Sequence, residues 1–225
     1  MNYDWGYIII SVLSFLPAIV FHEASHAFAA YKLGDPTAKG EGRLSFNPIR
    51  HIDPFGTVIL PLLLIAMNMP VFGYAKPVPY NPRYFKDPRK GDLIVGLAGP
   101  AANLIMALIG AGVFAIIYNF CPVALWAQNQ VFLYFLYYLQ TFSLINLYLM
   151  FFNLIPIPPL DGSSIFAFFL PAKYLPQYYK VQHYAFPIFM IVVIALPYAL
   201  NFDPFSWFLN ITAGNVFNLL FPYWG

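Results

Sequence analysis

Residues 5–33 read Trp5-Gly-Tyr-Ile-Ile-Ile-Ser-Val-Leu-Ser-Phe-Leu-Pro-Ala-Ile-Val-Phe-His22-Glu23-Ala-Ser-His26-Ala-Phe-Ala-Ala-Tyr-Lys-Leu33, and this stretch decides the fold class. No charge occurs from Trp5 to Phe21. A helix of about 20 such residues spans a bilayer. The run then places three ionisable side chains within five residues, His22, Glu23 and His26. Residues four apart share one face of a helix. Both imidazoles can therefore meet one zinc ion, with Glu23 beside them as a general base. Ionisable groups at membrane depth are costly and mark functional sites. The N-terminus has no basic n-region, and the apolar run leads into His22 and not into a small-residue cleavage site. It is therefore read as a membrane helix of the mature chain, not a removed signal peptide.

Composition widens that reading to the whole chain. Of 225 residues, 60% are hydrophobic, 20% aromatic and 9% charged, where a soluble domain carries about 25% charged residues. The length allows about five to seven spans. No polar stretch is long enough for a separate soluble domain, so one membrane-embedded domain is expected over 1–225. Its catalytic core is expected at about 5–165, with additional C-terminal membrane helices over 166–225. A net charge of +2, with no basic run interleaved with aromatics, gives no reason to expect a nucleic-acid partner. The lone Cys121 excludes an intrachain disulfide and a multi-cysteine metal site.

Gly34 and Pro36 stop the first helix, and 34–54 is turn-rich. Residues 55–69 are apolar but short and contain Pro61; the prolines of 70–90 exclude a long helix there. From Leu93 to Ala172 the only charged residue is Asp161. Spans are predicted over 92–118 and 131–154, a short helix over 162–171, and apolar segments over 184–200 and 205–223. The expected fold is an all-α polytopic membrane protein with about six membrane segments and a small re-entrant or β-hairpin element after the first helix.

A catalytic zinc usually has three protein ligands and an open position. Asp161 leads as the third, being the one ionisable group in its apolar stretch. Pro156, Pro158, Pro159 and Gly162 break the helix around it, and freed backbone groups at membrane depth are tolerated where they line a cavity. The bland alternative is an aspartate that caps the next helix.

Three motifs together carry a family resemblance: His22-Glu-Ala-Ser-His26, Gly99-Pro-Ala-Ala-Asn103, and Asn153-x-x-Pro-x-Pro-x-x-Asp161-Gly162. They resemble the site-2 protease family of intramembrane zinc metalloproteases, in its compact branch without a PDZ or nucleotide-binding domain. The resemblance implies zinc held by His22, His26 and Asp161, Glu23 as base, and Asn153 as a holder of the substrate backbone or oxyanion. It also implies substrates that are transmembrane segments of other proteins. Asn103 reads more simply as a packing residue. Phe72-Gly-Tyr-Ala-Lys-Pro-Val-Pro79 resembles the family's membrane-associated hairpin. The competing reading is a metal-binding protein or transporter using His22, His26 and Asp161, but residues 93–160 hold no charge to form a path.

His22 and Asp161 must lie at one depth to share a metal. Of the three apolar segments between them, one should then not cross, and 55–69 is the shortest. Nine of the eleven Lys and Arg residues then fall on one side, at positions 32–90, with none in 119–130. The positive-inside rule makes that side cytoplasmic, with the zinc nearer it and the charged residues of 35–53 near the mouth of a polar channel. An integral cell-membrane protein is expected. His51 is read as solvated, His183 as interfacial, and Lys86–Lys90 as a solvated anchor.

Overall fold

The computed structural model describes residues 5–59, 63, 76–122, 128–182 and 184–222. Seven helices organise them. They are α1 (Trp5–Lys32), α2 (Pro88–Phe120), α3 (Gln130–Asn153), α4 (Gly162–Phe169), α5 (Leu175–Gln182) and α6 (Ala185–Leu200). The last, α7, is assembled from Pro204–Leu209, a π-helical turn at Asn210–Gly214, and Asn215–Leu220. Helices α1, α2 and α3 are long and apolar enough to cross a membrane. The all-α expectation holds among the described residues, which contain no strand. The expected hairpin lies partly outside them, since 72–75 are not described and Lys76–Pro79 is irregular. Most of 55–69, and His183, also lie outside the described residues.

Start signals match the helix bounds. Asp87 accepts from the backbone N–H groups of Arg89 and Lys90, with Pro88 in the first turn of α2. Asn129 caps α3 through the Phe132 N–H. In lipid, helices gain little from burying apolar surface and associate through small residues and close packing. The contact faces follow that rule: Ala18, Ala27 and Ala30 of α1 and Ala107 of α2 are fully buried. A Cβ on Gly110 would collide with the Ser143 hydroxyl, which donates to the Ala107 carbonyl at 3.0 Å.

Contacts set the helix directions. Val95 meets His26 while Asn103 meets Ala18 and His22, so α2 runs antiparallel to α1. Asn146 meets Asn103 and Ser143 meets Ala107, so α3 returns antiparallel to α2. Helix α7 lies beside both. Its Phe205 contacts Phe152, Ala213 packs with Ala107 and Leu147, and Phe221 follows against Phe114 and Leu136. Phe189 near the start of α6 and Phe202 just past its end both meet the first residues of α7, Phe205 and Trp207.

The loop after α1 is a clamp. Asp35 is fully buried and accepts from Thr37 N–H (2.9 Å), the Thr37 hydroxyl and Asn81 N–H (2.6 Å). Burial alone would raise its pKa; these donors outweigh burial and hold it below the ordinary carboxylate value. Arg43, also buried, donates to the carbonyls of Lys76 and Pro77. Lys76 N–H donates to the His51 carbonyl at 3.0 Å, and the His51 ring donates through Nε2 to the Ser45 carbonyl at 2.7 Å. Two expectations are corrected here. His51 is 1% exposed, not solvated, and Asp35 and Arg43 fix the 76–81 segment from the interior and do not line a channel mouth. Arg89 is likewise no free anchor: it donates to the Phe168 carbonyl at 2.7 Å and to Leu170, closing the C-terminal end of α4.

Candidate metal centre and active site

His22 and His26 stand one turn apart on α1, buried against α2. Each ring is held at Nδ1 by an acceptor that has no proton to give. The Asn103 side-chain carbonyl lies 2.6 Å from His22 Nδ1, and the Val95 backbone carbonyl 2.7 Å from His26 Nδ1. Both rings therefore carry a proton at Nδ1, and in the neutral form this leaves a lone pair on each Nε2. Those two Nε2 atoms face each other at 3.1 Å.

Asp161 arrives from the other end of the chain. The Pro-rich turn after α3 brings it to the N-terminal end of α4, where its backbone is helical and its side chain makes no cap hydrogen bond. Its Oδ2 instead lies 3.2 Å from His22 Nε2 and 3.3 Å from His26 Nε2, and is buried without a hydrogen bond. Three electron-rich atoms thus converge, each within 4.8 Å of the others. In an apolar setting that arrangement needs a positive charge among them, a metal ion or a proton. A tetrahedral zinc with bonds of about 2.0–2.1 Å requires ligand atoms about 3.3 Å apart. The three separations match one face of that tetrahedron, so these residues fit zinc. Two nitrogens and one carboxylate oxygen are a catalytic-type donor set, and the second contacts from Asn103 and Val95 are those that orient ligand histidines.

Two glycines of α2 make room for this. A Cβ on Gly99 would run into His26 Nε2 and stand 2.6 Å from His22 Cε1 and 2.7 Å from His22 Nε2. A Cβ on Gly96 would meet Ser164 Cβ at 2.9 Å and the Asp161 carbonyl at 3.1 Å. The Gly99-Pro-Ala-Ala-Asn103 sequence therefore serves the site twice, once by absence of a side chain and once through an amide.

A cavity of about 490 Å³ opens beside these three residues. Glu23, next to His22, and Asn153, at the end of α3, both line it. Asn153 donates one amide hydrogen to the Leu149 carbonyl at 3.0 Å. Val78 and Tyr80 form part of the rim, and Tyr80 donates to Asp92 at 2.5 Å. The structure thus brings His22, His26 and Asp161 together and puts Glu23 and Asn153 on the same cavity. Sequence reasoning named Gly99 within a family motif but gave it no role, and it missed the Val95 carbonyl and Asn146, which accepts from Asn103 at 2.9 Å. Of these last two only Asn146 gave a signal: Gln140, Ser143 and Asn146 recur every three residues in an apolar helix.

The chain matches the family model described as Peptidase family M50 over residues 119–196. It is 38% identical over 184 residues to the Bacillus subtilis protein named "Putative zinc metalloprotease YwhC", covering 81% of this chain and 79% of that one. It is 29% identical over 210 residues to the Mycolicibacterium smegmatis protein named "Putative zinc metalloprotease Rip2", covering 92% and 75%. No solved structure matches.

Proposed function

This chain belongs to peptidase family M50, the site-2 proteases, and is an intramembrane zinc metalloprotease; from that premise we propose that His22, His26 and Asp161 hold its zinc, with Glu23 as general base and Asn153 as a donor to substrate. The observation that carries the ligand assignment is the set of three lone-pair atoms 3.1–3.3 Å apart. Zinc supplies Lewis acidity, which lowers the pKa of water and polarises a carbonyl. Glu23 accepts the proton of the attacking water and returns it to the leaving amine nitrogen. Asn153 keeps one N–H beyond its bond to Leu149, and this can meet the substrate carbonyl as its oxygen gains charge. Phe15, Ile19, Leu149 and Phe152 give the cavity an apolar wall suited to a transmembrane segment. Such a segment must unwind to expose a peptide bond, and the clamped 76–81 segment offers an edge for the unwound strand.

The test of the base uses the full chain in detergent. Wild type and Glu23→Gln should each bind one zinc, and cleavage of a transmembrane-segment peptide should fall about 10²–10⁴-fold in the variant. Equal cleavage by the two would remove Glu23 from the role.

The same reading gives about six membrane-embedded segments in one domain over 1–225. Helices α1, α2, α3 and α7 cross, while 55–69 and α6 enter and leave on the site's side. His22 is ten residues from Lys32, about 15 Å along α1. The eleven Lys and Arg residues all belong to the side where α1 ends and α2 begins, which is the cytoplasmic side by the positive-inside rule. In a Cys121→Ser background, cysteines introduced at Ser45 and Ala75 should both label from the cytoplasmic face. Labelling from opposite faces would reject the non-crossing segment.

A further inference from the structure

Both amide hydrogens of Asn103 are committed. Its Nδ2 donates to the Ala18 carbonyl at 3.2 Å and to Asn146 Oδ1 at 2.9 Å. Asn146 in turn donates from Nδ2 to the Phe142 carbonyl at 2.8 Å. Two backbone carbonyls, which can only accept, thereby fix the direction of the whole chain of bonds. Asn146 must turn its oxygen towards Asn103, and Asn103 must turn its oxygen towards His22. Both asparagines are fully buried. Flipping Asn103 would set its oxygen against the Ala18 carbonyl and Asn146 Oδ1, and flipping Asn146 would set its oxygen against the Phe142 carbonyl and its amide against that of Asn103, both in a fully buried setting.

From this we propose that Asn103 and Asn146 are positioning residues that lock His22 in the Nδ1–H form, so that Nε2 is always available to the metal. The inference rests on His22 being a zinc ligand. The two histidines are held differently: His26 is set by a backbone carbonyl of α2, which no substitution removes, while His22 depends on two side chains from two other helices. The relay also joins α1, α2 and α3 at one depth, so the ligand's tautomer and the packing of the three helices are fixed together. Interhelical side-chain bonds contribute modestly to association in a bilayer. A relay retained for assembly alone would therefore affect stability and leave the metal untouched.

The experiment measures zinc affinity of the detergent-solubilised full chain by chelator competition, and records the visible absorption of its cobalt(II) form, which reports ligand geometry. Asn103→Leu should weaken zinc about 10–100-fold and alter the cobalt spectrum. Asn146→Leu should weaken zinc about tenfold. Asn146→Asp in its neutral acid form, which full burial favours, still offers Asn103 an acceptor and donates its O–H to the Phe142 carbonyl, so it should stay close to wild type. Wild-type affinity in Asn103→Leu, or Asn146→Asp as weak as Asn146→Leu, overturns the relay. The Asn146 pair decides the matter if Asn103→Leu does not fold. A wild-type chain that binds no zinc overturns the ligand assignment itself, and the relay with it.

Discussion

Gly99→Ala is expected to cost the protein its zinc and its activity through a single methyl group. The added Cβ would overlap His26 Nε2 and sit 2.6–2.7 Å from two atoms of the His22 ring. The rings cannot swing away cheaply, because each is tied at Nδ1, to Asn103 and to the Val95 carbonyl. Either α2 moves outward or both ligands rotate off the metal. Displacements of about 1 Å at a reacting centre cost about 10²-fold in rate, and here two ligands move together. Zinc affinity should fall by at least about 10²-fold, with cleavage undetectable. Gly112→Ala is the control. It lies on the same helix, a Cβ there would have nothing within 4 Å, and it should leave affinity and cleavage unchanged. Wild-type zinc binding in Gly99→Ala would mean that the metal does not sit between these rings.

This glycine also shows where sequence reading stops. Helix bounds follow from local chemistry, and the predicted 92–118 and 131–154 differ from α2 and α3 by at most four residues at any end. The proposed ligands are legible because ionisable groups stand out in apolar surroundings: His22 and His26 by their spacing, Asp161 by its isolation. A small residue carries no such mark. Whether Gly99 faces lipid, a neighbouring helix or a metal depends on how α1 packs against α2, which is a long-range property. Val95 is still less visible, since its contribution is a backbone carbonyl that any residue would supply. Asp35, Arg43 and His51 mislead for the opposite reason. They look like solvated loop residues, yet their partners are mainly backbone groups of 76–81 and of the loop itself, which composition does not reveal.

The site's division between two distant segments explains why a carrier reading is weaker than a protease reading. The ligands, Glu23 and Asn153 all gather on one cavity at the end of the bundle that carries the basic loops. The interior beyond it is uncharged, with Asn103, Ser143 and Asn146 bonded to one another or to backbone. An ion has a place to be held and no charged path through the far half, which suits a hydrolytic centre reached from one side.

Gly162→Ala should be as damaging, by a different route. Its backbone is not left-handed, so the requirement is for space and not for conformation. A Cβ there would strike the Leu154 carbonyl and stand 2.5 Å from the Ile155 carbonyl oxygen, both backbone atoms that cannot rotate aside. Those atoms belong to the turn that follows Asn153, so the methyl would wedge the start of α4 away from the end of α3. Asp161 would leave His22 and His26, and Asn153 would be displaced with it. Zinc affinity should fall about 10²-fold, and overpacking of this kind costs about 1–3 kcal/mol of stability. Comparison with Asp161→Asn separates packing from ligation. Both variants should weaken zinc. Gly162→Ala should melt below wild type even without metal, because its fault is packing. Asp161→Asn keeps the packing and loses the charged donor that faces both histidines, so added zinc should raise the melting temperature of wild type and not that of this variant. A full zinc-dependent rise in Asp161→Asn would remove Asp161 from the ligand set.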